Sequence, residues 1–425
     1  MLLRLIRFPW LLDAVLLLPL LWISLKVRLQ YFFYLLSTPQ GLPDSADSRW
    51  YLSYARRLLD DFQIGAQMND LFYLSYNLLL ACLLKLLGSP AKIVFLQSVT
   101  AGLSVVLVYL IARRLFNRTT AVIAAFVYAY MWEITLWSTY ILTESFFISL
   151  LLLCVYLLLL AVESPKLLFR WLFAAAALVL FFFRPTGMLA VLFMLFYIGV
   201  RIGRAKITAF IRPYPYTWIG IAMAVLFLFL LALGNGLLDP LLASMRYNVK
   251  LVLYNVYAKG WIYDHPSAHD LAYRPDYRID IGNSLILSFL IHNWDHIMVL
   301  YAKRAVAFLG PWVWKLDLTT GAGIQKAVRL LLPSLLFALA SIAALWNGTL
   351  RRASILWLMP GLVFLWCLLF FIDGMYRYRA PGMPFMAIVA AYGADRVVRW
   401  VLLLVRTLVE LARHKLARRD FSSNG

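Results

Sequence analysis

Two carboxylates, Asp44 and Asp47, stand where the chain leaves its first long apolar segment, in Leu42-Pro43-Asp44-Ser45-Ala46-Asp47-Ser48-Arg49-Trp50-Tyr51. A third, Glu144, sits in Ile141-Leu142-Thr143-Glu144-Ser145, between two apolar runs. Arg184 in Phe183-Arg184-Pro185-Thr186-Gly187 occupies a similar boundary, as do Arg377, Tyr378 and Arg379 in Tyr376-Arg377-Tyr378-Arg379-Ala380-Pro381. An ionisable group at membrane depth is costly unless it is paired or lines a polar cavity. Each has a purely structural alternative: a helix cap for Asp44 or Asp47, a salt bridge for Glu144, snorkelling to headgroups for the arginines. As a set they can do chemistry. A carboxylate can take a proton from a hydroxyl, and guanidinium groups hold phosphate oxygens in fixed geometry, which suits a lipid-linked phosphate.

The elements that must position these residues are helices in a bilayer. Of 425 residues, 64% are hydrophobic and 14% charged, with mean hydropathy +0.80, well above a soluble chain. The net charge of +20 lies in short turns between apolar segments, where it reads as topology signal and anionic-lipid contact, with no nucleic-acid partner. Cys82, Cys154 and Cys367 lie in apolar runs without metal or disulfide spacing. The first apolar segment runs on without a small-residue cleavage site, so no cleavable signal peptide is expected.

The pattern predicts an all-α polytopic protein with ten spans: 8–36, 91–112, 119–138, 145–162, 168–183, 186–200, 215–233, 326–346, 353–372 and 381–408. Leu71–Leu87 is long enough to span, yet holds Ser75, Asn77 and Lys85. If it lies in the interface or re-enters, then Arg113, Arg114, Arg118, Lys166, Arg170, Arg201, Arg204, Lys206, Arg212, Arg351 and Arg352 all face the cytoplasm. The basic tail with Arg413, Lys415, Arg418 and Arg419 joins them. Both termini are then cytoplasmic, and Asp47, Glu144, Arg184 and Arg377 face out. The sequons at Asn117 and Asn347 fall in cytoplasmic turns and are read as unglycosylated.

Three regions follow. Residues 1–233 form a membrane module whose first outer loop, 37–90, carries Asp47. Residues 234–325 form an outer region, and 326–425 the last helices and tail. In the first loop, Trp50, Tyr54, Leu58 and Phe62 share one helical face, with Tyr51, Ala55 and Leu59 beside them. Arg49, Ser53, Arg56 and Asp60 fall opposite, the pattern of an interfacial helix. The outer region holds His265, His269, His292 and His296, whose spacing matches no compact metal site and reads as solvated loop histidines. Tyr301–Trp314, with Lys303 and Arg304, is read as a further interfacial helix.

Asp47-Ser48-x-x-Tyr51-x-x-x-Ala55 resembles the first-outer-loop motif of the GT-C membrane glycosyltransferases. The nearest branch is family 39, the dolichyl-phosphate-mannose protein mannosyltransferases, with the aminoarabinose–lipid A transferases. Ala112-Arg113-Arg114-Leu115-Phe116-Asn117-Arg118, Leu142-Thr143-Glu144-Ser145-Phe146, Phe183-Arg184-Pro185-Thr186-Gly187 and Arg377-Tyr378-Arg379-x-Pro381 follow in the same order. The family commonly has an Asp-Glu pair where this chain has Asp47-Ser48.

The resemblance implies a GT-C-type bundle in the cell membrane. It also implies sugar transfer from a polyprenyl-phosphate donor to a lipid, glycan or protein acceptor on the extracytoplasmic side. Attack on an anomeric carbon needs a base, for which Asp47 is the first candidate and Asp44 the reserve. Arg377 and Arg379 are the candidates for the carrier phosphate, with Tyr378 between them and Arg184, Lys303 and Arg304 behind them. Glu144 positions the acceptor, orients an arginine, or holds a divalent cation with Asp47. No cofactor is fixed by the sequence, and a metal requirement stays open. One-step displacement would invert the anomeric centre. The alternative is a transporter or flippase of lipid-linked saccharides, although no repeat relates the two halves as transporters often show.

Overall fold

The structure is a computed structural model describing residues 9–65, 67, 69–203, 208–209, 212–253, 272–310, 316–370 and 375–422. Most of these residues are helical, and no strand is among them. The chain is an integral membrane protein with an all-α polytopic fold.

The first half runs α1 (Pro9–Ser37), α2 (Ala46–Asp60), a short 3-10 turn (Asp70–Tyr73), α3 (Leu74–Leu87), α4 (Pro90–Leu103), α5 (Val105–Leu115), α6 (Arg118–Ala129), α7 (Trp132–Trp137), α8 (Thr143–Glu163), α9 (Leu167–Phe181) and α10 (Pro185–Ile202). Then come α11 (Pro215–Gly234), α12 (Asp239–Leu251), α13 (Leu285–His292), α14 (Trp294–Leu309), α15 (Gly321–Trp346), α16 (Leu350–Ala353), α17 (Ile355–Phe370), α18 (Met375–Arg379) and α19 (Met383–Ser422). Many starts have local causes. Pro90, Pro185 and Pro215 stand at the first helical position, where a missing N–H costs nothing. Asn117 caps α6 by accepting from the Thr120 N–H at 2.9 Å.

Among the described residues seven helices are long and apolar enough to cross a membrane, or eight if the bent pair α13–α14 is one span. Six of the ten expected spans are among these seven. The expected span 119–138 is two helices, Arg118–Ala129 and Trp132–Trp137, while 168–183 and 353–372 are the short α9 and α17. At about 1.5 Å per residue, a 15-residue helix covers only about 22 Å of a hydrocarbon core roughly 30 Å thick. Leu71–Leu87, read as interfacial or re-entrant from the count of basic residues, falls within Asp70–Leu87, which is among the seven by length and composition.

The core gathers around α8, which packs against α4, α9 and α5, with α15 and α6 on α19. Small residues let these backbones approach. A Cβ added at Gly393 would meet the Leu336 carbonyl oxygen at 2.6 Å, and one at Gly102 would meet Leu25 Cδ2 at 2.6 Å. Arg28, unremarked in the sequence, is fully buried in α1. It donates to the Tyr128 and Ala129 carbonyls, both at 3.1 Å, and its guanidinium lies 4.8 Å over the Tyr128 ring. Those carbonyls stand at the end of α6, where the positive charge complements the helix's negative end. Arg28 thus terminates a short helix inside the bundle.

Candidate functional site

The site begins with α2. Its cap is Ser45, whose hydroxyl accepts from the Ser48 N–H at 3.1 Å, leaving Asp47 free in the first turn. The buried face is Ser48, Tyr51, Tyr54, Ala55 and Leu58. It is rotated from the expected one: Trp50 is half-buried, and α2 ends at Asp60, so Phe62 lies beyond it and is exposed. Arg49, Ser53, Arg56 and Asp60 are exposed as expected. Edge-to-face aromatic contacts fix α2 on the 3-10 turn and on α3: Tyr51 to Tyr76 at 4.9 Å, Tyr51 to Tyr73 at 5.5 Å, and Trp50 to Tyr73 at 5.8 Å.

Tyr76 then meets Phe183 at 5.4 Å, and the Ser75 N–H donates to the Phe182 carbonyl at 3.0 Å. This joins α3 to the turn between α9 and α10, where Arg184 is the residue before Pro185. The Gly187 N–H donates to the Arg184 carbonyl at 2.8 Å, and a Cβ at Gly187 would lie 2.0 Å from the Leu180 carbonyl oxygen. Only glycine fits that approach. The turn aims Arg184 inward, 5.1 Å over the Phe147 ring, with its side chain 5% exposed.

Four distant stretches meet here. Glu144, in the first turn of α8 and fully buried, accepts from Arg184 Nη1 at 3.1 Å and from Arg377 Nε at 2.8 Å. Arg377 Nη1 also donates to Asp47 Oδ2 at 2.6 Å. The Asp47 side chain is 51% exposed and the Arg377 side chain 14%. Thr143 Oγ1 donates to Glu144 Oε2 at 3.4 Å, and the Tyr378 ring lies 5.6 Å from the Arg377 guanidinium. Burial alone would lower the Arg377 guanidinium, but Glu144, Tyr378 and Asp47 raise it, so it stays charged. Burial pushes the Tyr51 phenol well above its ordinary value, with Tyr73 and Glu144 adding to the effect. Tyr51 is therefore a neutral hydroxyl and not a base.

Asp47, Arg184 and Arg377 line a cavity of about 320 Å³. Its wall also includes Trp50, Tyr51, Tyr73, Thr143 and Tyr378, with Asn69, Tyr247, Asn248 and Leu251 completing it. Sequence reasoning missed this last group. The Asn69 N–H donates to Ser244 Oγ at 2.7 Å and Asn248 Nδ2 to Asn69 Oδ1 at 2.8 Å, which docks α12 on the first loop. Asn69 has φ of 69°, a left-handed conformation in which asparagine is favoured among non-glycine residues.

The other sequence candidates lie apart from this group. Arg379, two residues along a helical turn from Arg377, points elsewhere, since two helical steps rotate about 200°. It is buried, donates to Met383 Sδ at 3.2 Å and pairs with Glu133 at 3.8 Å. Asp44 is exposed and pairs with Arg49 at 3.5 Å. Arg304 is buried in α14 and donates to the Leu368 carbonyl at 2.6 Å, while Lys303 is half-buried on the same helix. That helix begins at Trp294, earlier than the expected Tyr301, and residues 311–315 lie outside the described residues.

The solvated-histidine expectation is corrected for His296, which is buried and stacked on Tyr273 at 3.7 Å because α14 packs its face inward. His292 contacts Asp280 at 2.6 Å, and His265 and His269 lie outside the described residues. Among the described residues no three His, Cys, Asp or Glu side chains gather as a metal site. The two carboxylates named for a divalent ion are bridged by Arg377. An added cation would sit beside two guanidinium groups, so this donor set does not fit one.

The sequence model of the dolichyl-phosphate-mannose-protein mannosyltransferase family matches residues 74–232. That stretch contains Glu144 and Arg184 and leaves out Asp47 and Arg377. Among solved structures, the chain is similar to the oligosaccharyltransferase of Archaeoglobus fulgidus tethered with an acceptor peptide (TM-score 0.49, 13% identity, 95% of this chain and 51% of that one). It is also similar to the oligosaccharyltransferase AglB of the same organism in complex with an inhibitory peptide and a dolichol-phosphate (TM-score 0.46, 14% identity, 95% and 52%). The chain spans about half the length of these structures. No curated protein matches it.

Proposed function

We propose that the chain is a glycosyltransferase that moves a sugar from a polyprenyl-phosphate carrier to an acceptor hydroxyl at the extracytoplasmic face of the cell membrane. The observation that carries this reading is the chain of contacts Asp47–Arg377–Glu144–Arg184 at a cavity wall, drawn from four segments far apart in sequence. Glu144 is the buried anchor that holds both guanidinium groups. Arg377 shares itself between that anchor and the half-exposed Asp47.

An incoming carrier phosphate competes with Asp47 for Arg377 Nη1, while Glu144 keeps hold of Nε. The exchange places a phosphate oxygen against the guanidinium and frees the Asp47 carboxylate. Asp47 then takes the acceptor hydroxyl's proton as the acceptor oxygen bonds to the anomeric carbon. The carbon–oxygen bond to phosphate breaks, and its electron pair leaves on the phosphate, where Arg377 and Arg184 stabilise the added charge. A single displacement of this kind inverts the anomeric configuration. The acceptor is a lipid, glycan or protein.

The test is turnover of polyprenyl-phosphate mannose by the purified protein, with product stereochemistry read by NMR. Membrane-impermeant labelling of cysteines introduced at 47 and 113, in a cysteine-free background, reads sidedness. Retention of wild-type turnover by Asp47→Asn overturns the assignment of the base, and labelling of 113 from outside overturns the topology. Carrier binding and translocation without any sugar transfer would instead establish a transporter.

A further inference from the structure

We infer that Asn69 and Asn248 form the subsite that reads the donor's sugar, and that this sugar is uncharged. The inference rests on the glycosyltransferase reading above and specifies the substrate class of the same cavity.

The lining falls into two chemical groups. Asp47, Arg184 and Arg377 supply charge and are tied to one another through Glu144. Asn69, Asn248, Tyr247 and Leu251 are neutral, and three of them come from α12. The two asparagines share one hydrogen bond of 2.8 Å, from Asn248 Nδ2 to Asn69 Oδ1. Each side-chain amide has two donors and two acceptor lone pairs, so that bond uses only a part of each. Both residues are half-buried at the cavity wall.

Amides that can both donate and accept match the hydroxyls of a sugar, and Trp50, Tyr73 and Tyr247 offer aromatic faces for its C–H surface. A sugar carrying an ammonium group would call for a carboxylate among these partners. The one carboxylate in the lining, Asp47, is the base of the reaction proposed above, a role that pairing with an ammonium would block. The Asn69 backbone supports a binding role: the Ser244 hydroxyl fixes it at positive φ, which leaves the Asn69 amide on the wall.

The test compares two probes on the same purified variants: bare polyprenyl phosphate, and polyprenyl phosphate mannose. Asn248→Ala removes one amide. Asn69→Gly removes the other while keeping the left-handed backbone that alanine would strain. The expected result is about three- to tenfold weaker binding of the sugar-bearing carrier by each variant, as for loss of a neutral hydrogen bond, with bare-carrier binding unchanged. Equal weakening of both probes would mean that the asparagines only dock α12, and would overturn the inference while leaving the glycosyltransferase reading intact. Wild-type preference for an aminoarabinose-bearing carrier over the mannose-bearing one would overturn the uncharged-sugar assignment. Failure of the wild type to bind either carrier would overturn both readings together.

Discussion

One helix, α8, carries a carboxylate at each end, and the two ends treat it differently. Glu144 in the first turn and Glu163 at the last position are separated by roughly 28 Å of helix. Glu163 gathers Arg114 at 2.7 Å and Arg201 and Arg352 at 3.5 Å, and the adjacent Arg113 and Arg118 meet Asp13 at 3.5 and 2.6 Å. All of these groups keep some exposure, and Arg352 is 51% exposed. A negative charge at a helix C-terminus is disfavoured by the dipole, so three arginines are a sufficient reason for that cluster to exist. Glu144 already has the favourable end, is fully buried, and still holds two guanidinium groups, one of them shared with an accessible aspartate beside a cavity. The difference teaches that opposite charges together do not make a site. What sets the Glu144 end apart is that its shared arginine and accessible aspartate both line a cavity.

The sharpest break in this comparison is Asp47→Asn. Loss of the proposed base should lower turnover by about 10²–10⁴-fold with carrier affinity nearly kept, measured by radiolabelled sugar transfer beside binding of the bare carrier. Next is Glu144→Gln. It strands two buried guanidinium groups and should destabilise the fold by about 3–5 kcal/mol, seen as a lower Tm in detergent. Arg377→Lys keeps the charge but loses the fork that spans Asp47 and Glu144. A turnover loss of roughly ten- to a hundredfold in a folded protein is expected. The smallest effect belongs to the other end: Glu163→Gln should cost about 1–2 kcal/mol in thermal stability and leave transfer kinetics unchanged. Equal kinetic losses at Glu163 and Glu144 would erase the distinction between the two ends.

Much of this architecture was legible before any coordinates. Hydropathy placed the chain in a membrane, and charge counting grouped Arg113, Arg114, Arg118, Arg201 and Arg352, which the structure gathers at one end around Asp13 and Glu163. Asp47, Glu144, Arg184 and Arg377 stood out because charge at a membrane boundary is costly, and that cost does not depend on the fold. Span counting fared less well. Hydropathy windows register apolar content, whereas a break such as that at Tyr130–Met131 depends on Arg28, 101 residues away from Ala129, capping α6.

What the sequence determined by itself was therefore the inventory: which residues carry charge into an apolar chain, and which turns need proline or glycine. Tertiary structure alone decided their partners. Arg377 and Arg379 are equivalent in composition, yet the rotation of one short helix sends the first to Asp47 and Glu144 and the second to Glu133 and Met383. Asn69 and Asn248 carry no charge and break no hydropathy rule, so nothing local marks them. They become a pair because α12 folds back across 179 residues of chain onto the first loop. Local preferences act over a turn or two of helix, while a site is built from contacts whose partners only packing can bring together.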